Sequence, residues 1–216
     1  MKKVLIFLLV SLNLVAFAQD KQTDKKAEQI LKRVSNKYKA YKSVKATFVI
    51  TIEKPQDNNS EAQQGTIYLK GKKYKLQIAG QDVISDGVTR WTYVKDANEI
   101  QIDHQKTDEN AITPTNVFTM YEKGFLFRFT GEEKQNGMVY QLVELVPVDP
   151  KKKNITKVKL KINKKDDFIA NAKIFDRSGT VQTINVDKFT PNVIKDDAIF
   201  TFNAKDYPGA EVIDLR

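Results

Sequence analysis

Residues 83–93 read Val-Ile-Ser-Asp-Gly-Val-Thr-Arg-Trp-Thr-Tyr, VISDGVTRWTY, and hold the only tryptophan, Trp91. Asp86-Gly87 between two short apolar runs is a hairpin signal. A type I′ turn needs positive φ, and glycine supplies it without strain. Asp86 can bond nearby backbone, which favours the turn further. No base or metal ligand lies in the neighbouring sequence, so Asp86 reads as a turn residue and not a catalyst. The stretch therefore predicts two paired antiparallel strands.

Outward from this hairpin the same period continues. Upstream, Ala46, Phe48, Ile50 and Ile52 alternate with Lys45, Thr47, Val49 and Thr51, a strand with one buried face. Lys54–Ser60 reads as a loop. Ile67 and Leu69 carry a strand, Lys70-Gly71-Lys72 turns, and Tyr74, Leu76 and Ile78 face inward on the next before Ala79-Gly80 turns again. Downstream, Lys95–Asn98 turns into Ile100 and Ile102. Further strands fall at 125–129, 139–146, 158–162, 168–175, 181–186 and 199–202, with turns at Gly131, Gly137, Pro147, Asn163 and Gly179.

Two helices interrupt the pattern. From Asp24 to Tyr41, Ala27, Ile30, Leu31, Val34, Tyr38 and Tyr41 form one apolar stripe, with Thr23 as N-cap and lysines opposite. Pro114 after Thr113 predicts a short helix to Tyr121 carrying Val117, Phe118 and Met120. The expected fold is α+β, mostly β: about eleven antiparallel strands in a curled sheet or barrel, with amphipathic helices.

Of the 216 residues, the first eighteen read as a signal peptide. Lys2-Lys3 precede the apolar run Val4–Val10, and Ala16-Phe17-Ala18 is a small-x-small cleavage site. The expected mature chain, 19–216, is one domain. No cysteine follows the apolar run to carry a lipid, and none is present for disulfides. The formal charge of +9 becomes +7 without Lys2 and Lys3. The lysines are spread along polar faces, which reads as a solvated surface and not as a nucleic-acid site.

Catalytic chemistry is thin. His104 is the only histidine and has no spaced ligands, and there is neither a Gly-x-Ser-x-Gly elbow nor a phosphate-cradling loop. No enzyme activity and no cofactor are expected. The inward faces are rich in large side chains: Phe48, Tyr74, Leu76, Trp91, Tyr93, Phe127 and Phe129. Periodicity leaves two readings open: the long helix fills the sheet's concave side as ordinary core, or it is a lid over a cavity for an apolar ligand.

Several motifs, in order, resemble the LolA-type outer-membrane lipoprotein carriers. Val83–Tyr93 is similar to the family's Val-Ser-Asp-Gly-x-x-x-Trp-x-Tyr. Ser43–Phe48 is similar to Ser-x-x-Ala-x-Phe, and Gly65–Lys70 to Gly-x-Leu-x-x-Lys. Phe200-Thr201-Phe202 through Pro208-Gly209 to Val212 resembles the closing segment. The resemblance implies a half-open β-barrel lidded by helices, in the periplasm, holding the acyl chains of lipidated cargo proteins. It implies an inner-membrane ABC transporter as donor, an outer-membrane receptor or membrane as acceptor, and a monomer. The cavity would be lined by Ile30, Leu31, Val34, Tyr38, Phe48, Ile50, Tyr74, Leu76, Trp91, Phe118, Met120, Phe127 and Phe129. Two departures stand out. The family's Arg-Pro latch is replaced by Lys70-Gly71-Lys72, and Arg90 takes the place of a leucine before Trp91. A free-lipid carrier or sensor, an envelope lipid hydrolase and a structural β-protein are the rival readings.

Overall fold

The computed structural model describes residues 23–105, 119–122 and 124–216. The 1–18 segment, Phe118 and most of the short helix expected at 114–121 lie outside the described residues. Of that helix, only a 3-10 turn at Met120–Glu122 is described.

Helix α1 spans Lys25–Ala40. Its buried residues Ala27, Ile30, Leu31, Val34, Ser35 and Tyr38 keep the spacing of a single stripe. The N-cap is Asp24 and not Thr23. One carboxylate oxygen accepts from Lys26 N at 2.7 Å, satisfying a free helix donor.

Twelve strands follow: β1 (Val44–Lys54), β2 (Asn59–Lys70), β3 (Lys73–Ile78), β4 (Gln81–Ser85), β5 (Thr89–Val94), β6 (Glu99–His104), β7 (Phe125–Gln135), β8 (Met138–Pro147), β9 (Ile155–Asn163), β10 (Phe168–Asp176), β11 (Val181–Pro191) and β12 (Glu211–Asp214). They form one sheet in the order β12-β6-β5-β4-β3-β2-β1-β11-β10-β9-β8-β7. All pairs are antiparallel except β12 with β6, which run parallel. The sheet is an unclosed, half-open barrel whose edges are β7 and β12, and α1 is its helical lid.

Three local expectations are corrected. The segment 199–202 is not a strand: Asp197–Phe200 is a 3-10 turn capped by Asp196, and the last strand comes later, at β12. Gly131 does not end β7. The strand runs through it with a register shift between Phe129 and Gly131, a bulge. The Asp86-Gly87 turn is not type I′, because only Gly87, and not Val88, has positive φ (97°). There the Asp86 carboxylate accepts from both Val88 N and Thr89 N at 2.8 Å, taking the place of a backbone acceptor.

Side chains divide into three apolar regions. The largest joins the α1 stripe to Phe125, Val143, Leu145, Val158, Leu160, Ile162, Ile169 and Ile174 on β7–β10. A smaller one comprises Val44, Ala46, Ile67, Leu69 and Tyr74 on β1–β3. Tyr41 and Phe189 pack against both. The third lies on the opposite face of β4–β6. There the segment after β11 stacks Phe202 on Trp91 at 5.7 Å, and Tyr207 reaches Tyr93 at 4.7 Å.

Candidate functional site

Counting register across the hairpins defines the inner face. Leu76 pairs with Val83, and Val83 with Thr92. Tyr74 pairs with Ser85, and Ser85 with Arg90. Directly opposed residues share a face, so Tyr74, Leu76, Ser85, Val83, Arg90 and Thr92 point one way. Trp91 pairs with Ile84 and Ile102 and points the other way. Trp91 was expected as a cavity residue; it packs instead in the outer aromatic stack. Its neighbour Arg90 faces inward, with Val83, Ser85 and Thr92.

Other expected site residues fall into two groups. Ile30, Leu31, Val34, Tyr38, Phe127 and Phe129 belong to the large region under α1, where Val34 is 0% exposed. Phe48, Tyr74 and Leu76 belong to the smaller one. Ile50 is half-buried and shares the inner face with Ile184. Phe118 and the Met120 side chain lie outside the described residues.

Where α1 does not reach, the inner face is only half-covered. Phe48, Leu76, Ile78 and Val83 are all partly exposed there. Gly65 has a defined role on this surface. A Cβ on it would come within 2.5 Å of the Phe48 ring and 2.9 Å of an Ile78 methyl, so only glycine lets both side chains lie across β2. The trough has a polar end. Arg90 Nη2 donates to Asp103 at 2.8 Å, and the Tyr74 hydroxyl donates to Gln105 Oε1 at 3.2 Å. Burial raises the Tyr74 phenol above its ordinary range, with Arg90 opposing the shift.

The two inner regions meet at the C-terminal end of α1, around a cavity of about 290 Å³. Its walls include the rings of Tyr38, Tyr41, Phe168 and Phe189, with Lys37 and Asp166 also lining it. The volume is just below the roughly 300–1,000 Å³ typical of small-molecule pockets. Burial pushes the Tyr38 phenol strongly upward, so it stays neutral.

Polar ties hold α1 on both flanks. Arg33 Nε donates to Asp167 at 3.1 Å and its Nη2 to Gln141 at 3.2 Å, while Lys37 bonds the Asp166 carbonyl. On the other flank Ser35 and Lys39 both bind Glu122. Exposed pairs of this kind are worth little each, so the apolar stripe holds most of the lid. Lys70 does not touch α1. Together with Lys73 it binds Asp197 in the C-terminal segment, at 2.6 and 2.9 Å, and these bonds lower the Asp197 pKa.

Among the described residues no three His, Asp or Glu side chains gather as a metal site requires. No described helix is long and apolar enough to cross a membrane. The fold and its inner face define a class: a half-open β-barrel with an apolar trough, partly roofed by one amphipathic helix. The family model of the outer membrane lipoprotein carrier protein LolA matches residues 39–203, and the chain belongs to that family.

Two solved structures share the fold, and a third is similar at a lower score. An uncharacterized conserved protein from Thermus thermophilus superposes with a TM-score of 0.58 at 14% identity, covering 88% of this chain and 99% of its own. A DUF1329 family protein from Desulfovibrio piger gives 0.50 at 13% identity, covering 85% and 99%. A putative outer membrane lipoprotein-sorting protein domain from Vibrio parahaemolyticus gives 0.44 at 13%, covering 82% and 96%. No curated protein matches the sequence.

Proposed function

We propose that this protein is a periplasmic, non-enzymatic carrier of lipoproteins. It is exported by the signal at 1–18 and works as a monomeric carrier domain of residues 19–216. The observation that carries this reading is the half-covered apolar trough of Phe48, Leu76, Ile78 and Val83, in a chain whose family model is that of a lipoprotein carrier. Cargo acyl chains enter at the aromatic cavity, where the trough meets the lid, run along the trough and, as α1 lifts, extend between α1 and the sheet. Ile30, Leu31, Val34, Tyr38, Ile50, Tyr74, Phe127 and Phe129 then line their path.

Each acyl methylene taken from water is worth about 0.8 kcal/mol, so a few buried chains bind firmly. Loading from an inner-membrane ABC transporter and delivery to an outer-membrane receptor or membrane must therefore be coupled to movement of α1. The test uses inner-membrane vesicles whose lipoproteins carry labelled acyl chains. With ATP, the added protein should bring labelled lipoprotein into the supernatant as a stoichiometric complex. Recovery of free phospholipid or fatty acid alone, identified by mass spectrometry, would replace the lipoprotein cargo with a free lipid. Recovery of neither would end the carrier reading.

A further inference from the structure

One end of the sheet carries charge that the carrier reading does not use. The β8–β9 connection contains Lys151, Lys152 and Lys153, directly after the exposed Val146 and Val148. On the outer face of the adjoining strands, Lys157 lies opposite Phe175, and Lys159 opposite Lys173. The ammonium groups of Lys157, Lys173 and Lys159 stand 4.9, 5.8 and 5.9 Å from the Phe175 ring centroid. Three like charges thus converge on one aromatic platform.

Several lysines on neighbouring parts of the sheet are matched by acids. Lys161 pairs with Glu133, Lys164 with Glu132 and Lys95 with Asp82. In this patch Asp149 reaches Lys152 at 3.6 Å and Glu53 reaches Lys173 at 3.8 Å. Asp176 is taken by its own turn, accepting from Thr180 N and Ser178 Oγ. Among the described residues no carboxylate lies within ion-pair distance of Lys151, Lys153, Lys157 or Lys159.

We infer that this end of the sheet is a membrane-docking surface for anionic phospholipid. The charge is complementary to a negative headgroup layer, which attracts clustered lysines near it. The aliphatic component selects a bilayer over an acidic protein. Val148 is 59% exposed and Val146 37%, at the level of the lysine run. A bilayer interface accepts cations at its headgroups and aliphatic side chains just beneath them. The docking surface is independent of cargo, and its test contains none.

Partition of the purified protein onto vesicles of phosphatidylcholine, with and without phosphatidylglycerol, decides it. Binding should require phosphatidylglycerol and fall steeply with salt. Each lysine at such a surface contributes about fivefold. The triple variant Lys151→Gln/Lys153→Gln/Lys157→Gln should therefore bind roughly a hundredfold more weakly. Val148→Asp should lose about tenfold by removing its apolar contact. A matched triple on another surface, Lys188→Gln/Lys195→Gln/Lys205→Gln, should lose much less. Equal binding to neutral vesicles, an unchanged first triple, or equal losses from both triples would each overturn the proposal. Should the first triple melt early, Lys157→Gln alone, with its fivefold loss, decides in its place.

Discussion

On the β7–β10 half, the inner face meets α1 directly, and the side chains interlocked with the helix stripe are almost fully buried. On the β1–β4 half, the same face carries similar residues, but several are half-exposed and α1 passes them by. One sheet thus combines a packed interior with an open trough, joined by Tyr41 and Phe189. The difference lies in the partner and not in the strands: apolar alternation is alike on both halves, and only one has a helix on it. Stability is concentrated where the helix is. Binding capacity is concentrated where it ends.

The comparison is tested hardest at Val34, in the packed half. Val34→Glu places a carboxylate in a site with no exposure, costing several kcal/mol. Urea melts should show the midpoint collapsing. If the variant folds normally, the packed half is looser than described, and α1 already rides over space. Next comes the open half. Leu76→Ala and Phe48→Ala should each cost about 1–2 kcal/mol, less than full burial would give, yet weaken binding of a fluorescent fatty acid about tenfold. Equal binding with a large stability loss would make the trough ordinary core.

A smaller effect is expected at Asp24, whose carboxylate caps α1 and also accepts from Phe129 N on β7 at 3.1 Å. Asp24→Ala should cost about 1 kcal/mol at neutral pH. The hydrogen bond from Phe129 N is the main reason its pKa lies below the ordinary 3.8. A lowered folded pKa means that the stabilisation is present above about pH 4 and is lost as the pH falls through the folded value. The gap between wild type and variant should therefore close in acid; a gap constant from neutral pH to acid would show that charge has no part. The smallest effect belongs to Lys70→Ala, whose ion pair is with Asp197 and not with α1. Lipid affinity should stay within about threefold, and a loss of tenfold or more would tie the C-terminal segment to the lid.

Much of this was legible in the residues. The stripe from Ala27 to Tyr38 and the alternation at Ala46–Ile52 and Tyr74–Ile78 fixed their elements, because each buries one face. The inward direction of Trp91 was misread for a physical reason. Its alternation with Tyr93 signals a buried face, but not which face. Two-residue turns at Gly71 and Gly80, followed through the register, would have put Arg90 beside Tyr74 and Trp91 behind it. The outer core was invisible because its cover, Phe202 and Tyr207, comes from a segment more than a hundred residues away. Phe200-Thr201-Phe202 alternates like a strand but finds no ladder partner; Phe200 ends the 3-10 turn Asp197–Phe200, and Thr201 and Phe202 follow outside any strand. The open trough and the packed half read alike in sequence, since only tertiary structure shows where a helix stops.

The union of α1 with the late strands also sets an order of events. Asp24 meets Phe129 across 105 positions, and Arg33 meets Asp167 across 134. A chain synthesised from its N-terminus makes the helix first and its seat last. At about 5–20 residues per second, the stripe waits on the order of ten seconds for β10 to exist. Throughout that interval Ile30, Leu31 and Val34 are a sticky surface with nothing beneath them. β1 waits as well, since its second neighbour is β11. Substitutions in β9 or β10 that leave the finished molecule equally stable will still lower its yield if they lengthen this wait, because self-association competes with docking for the same exposed stripe.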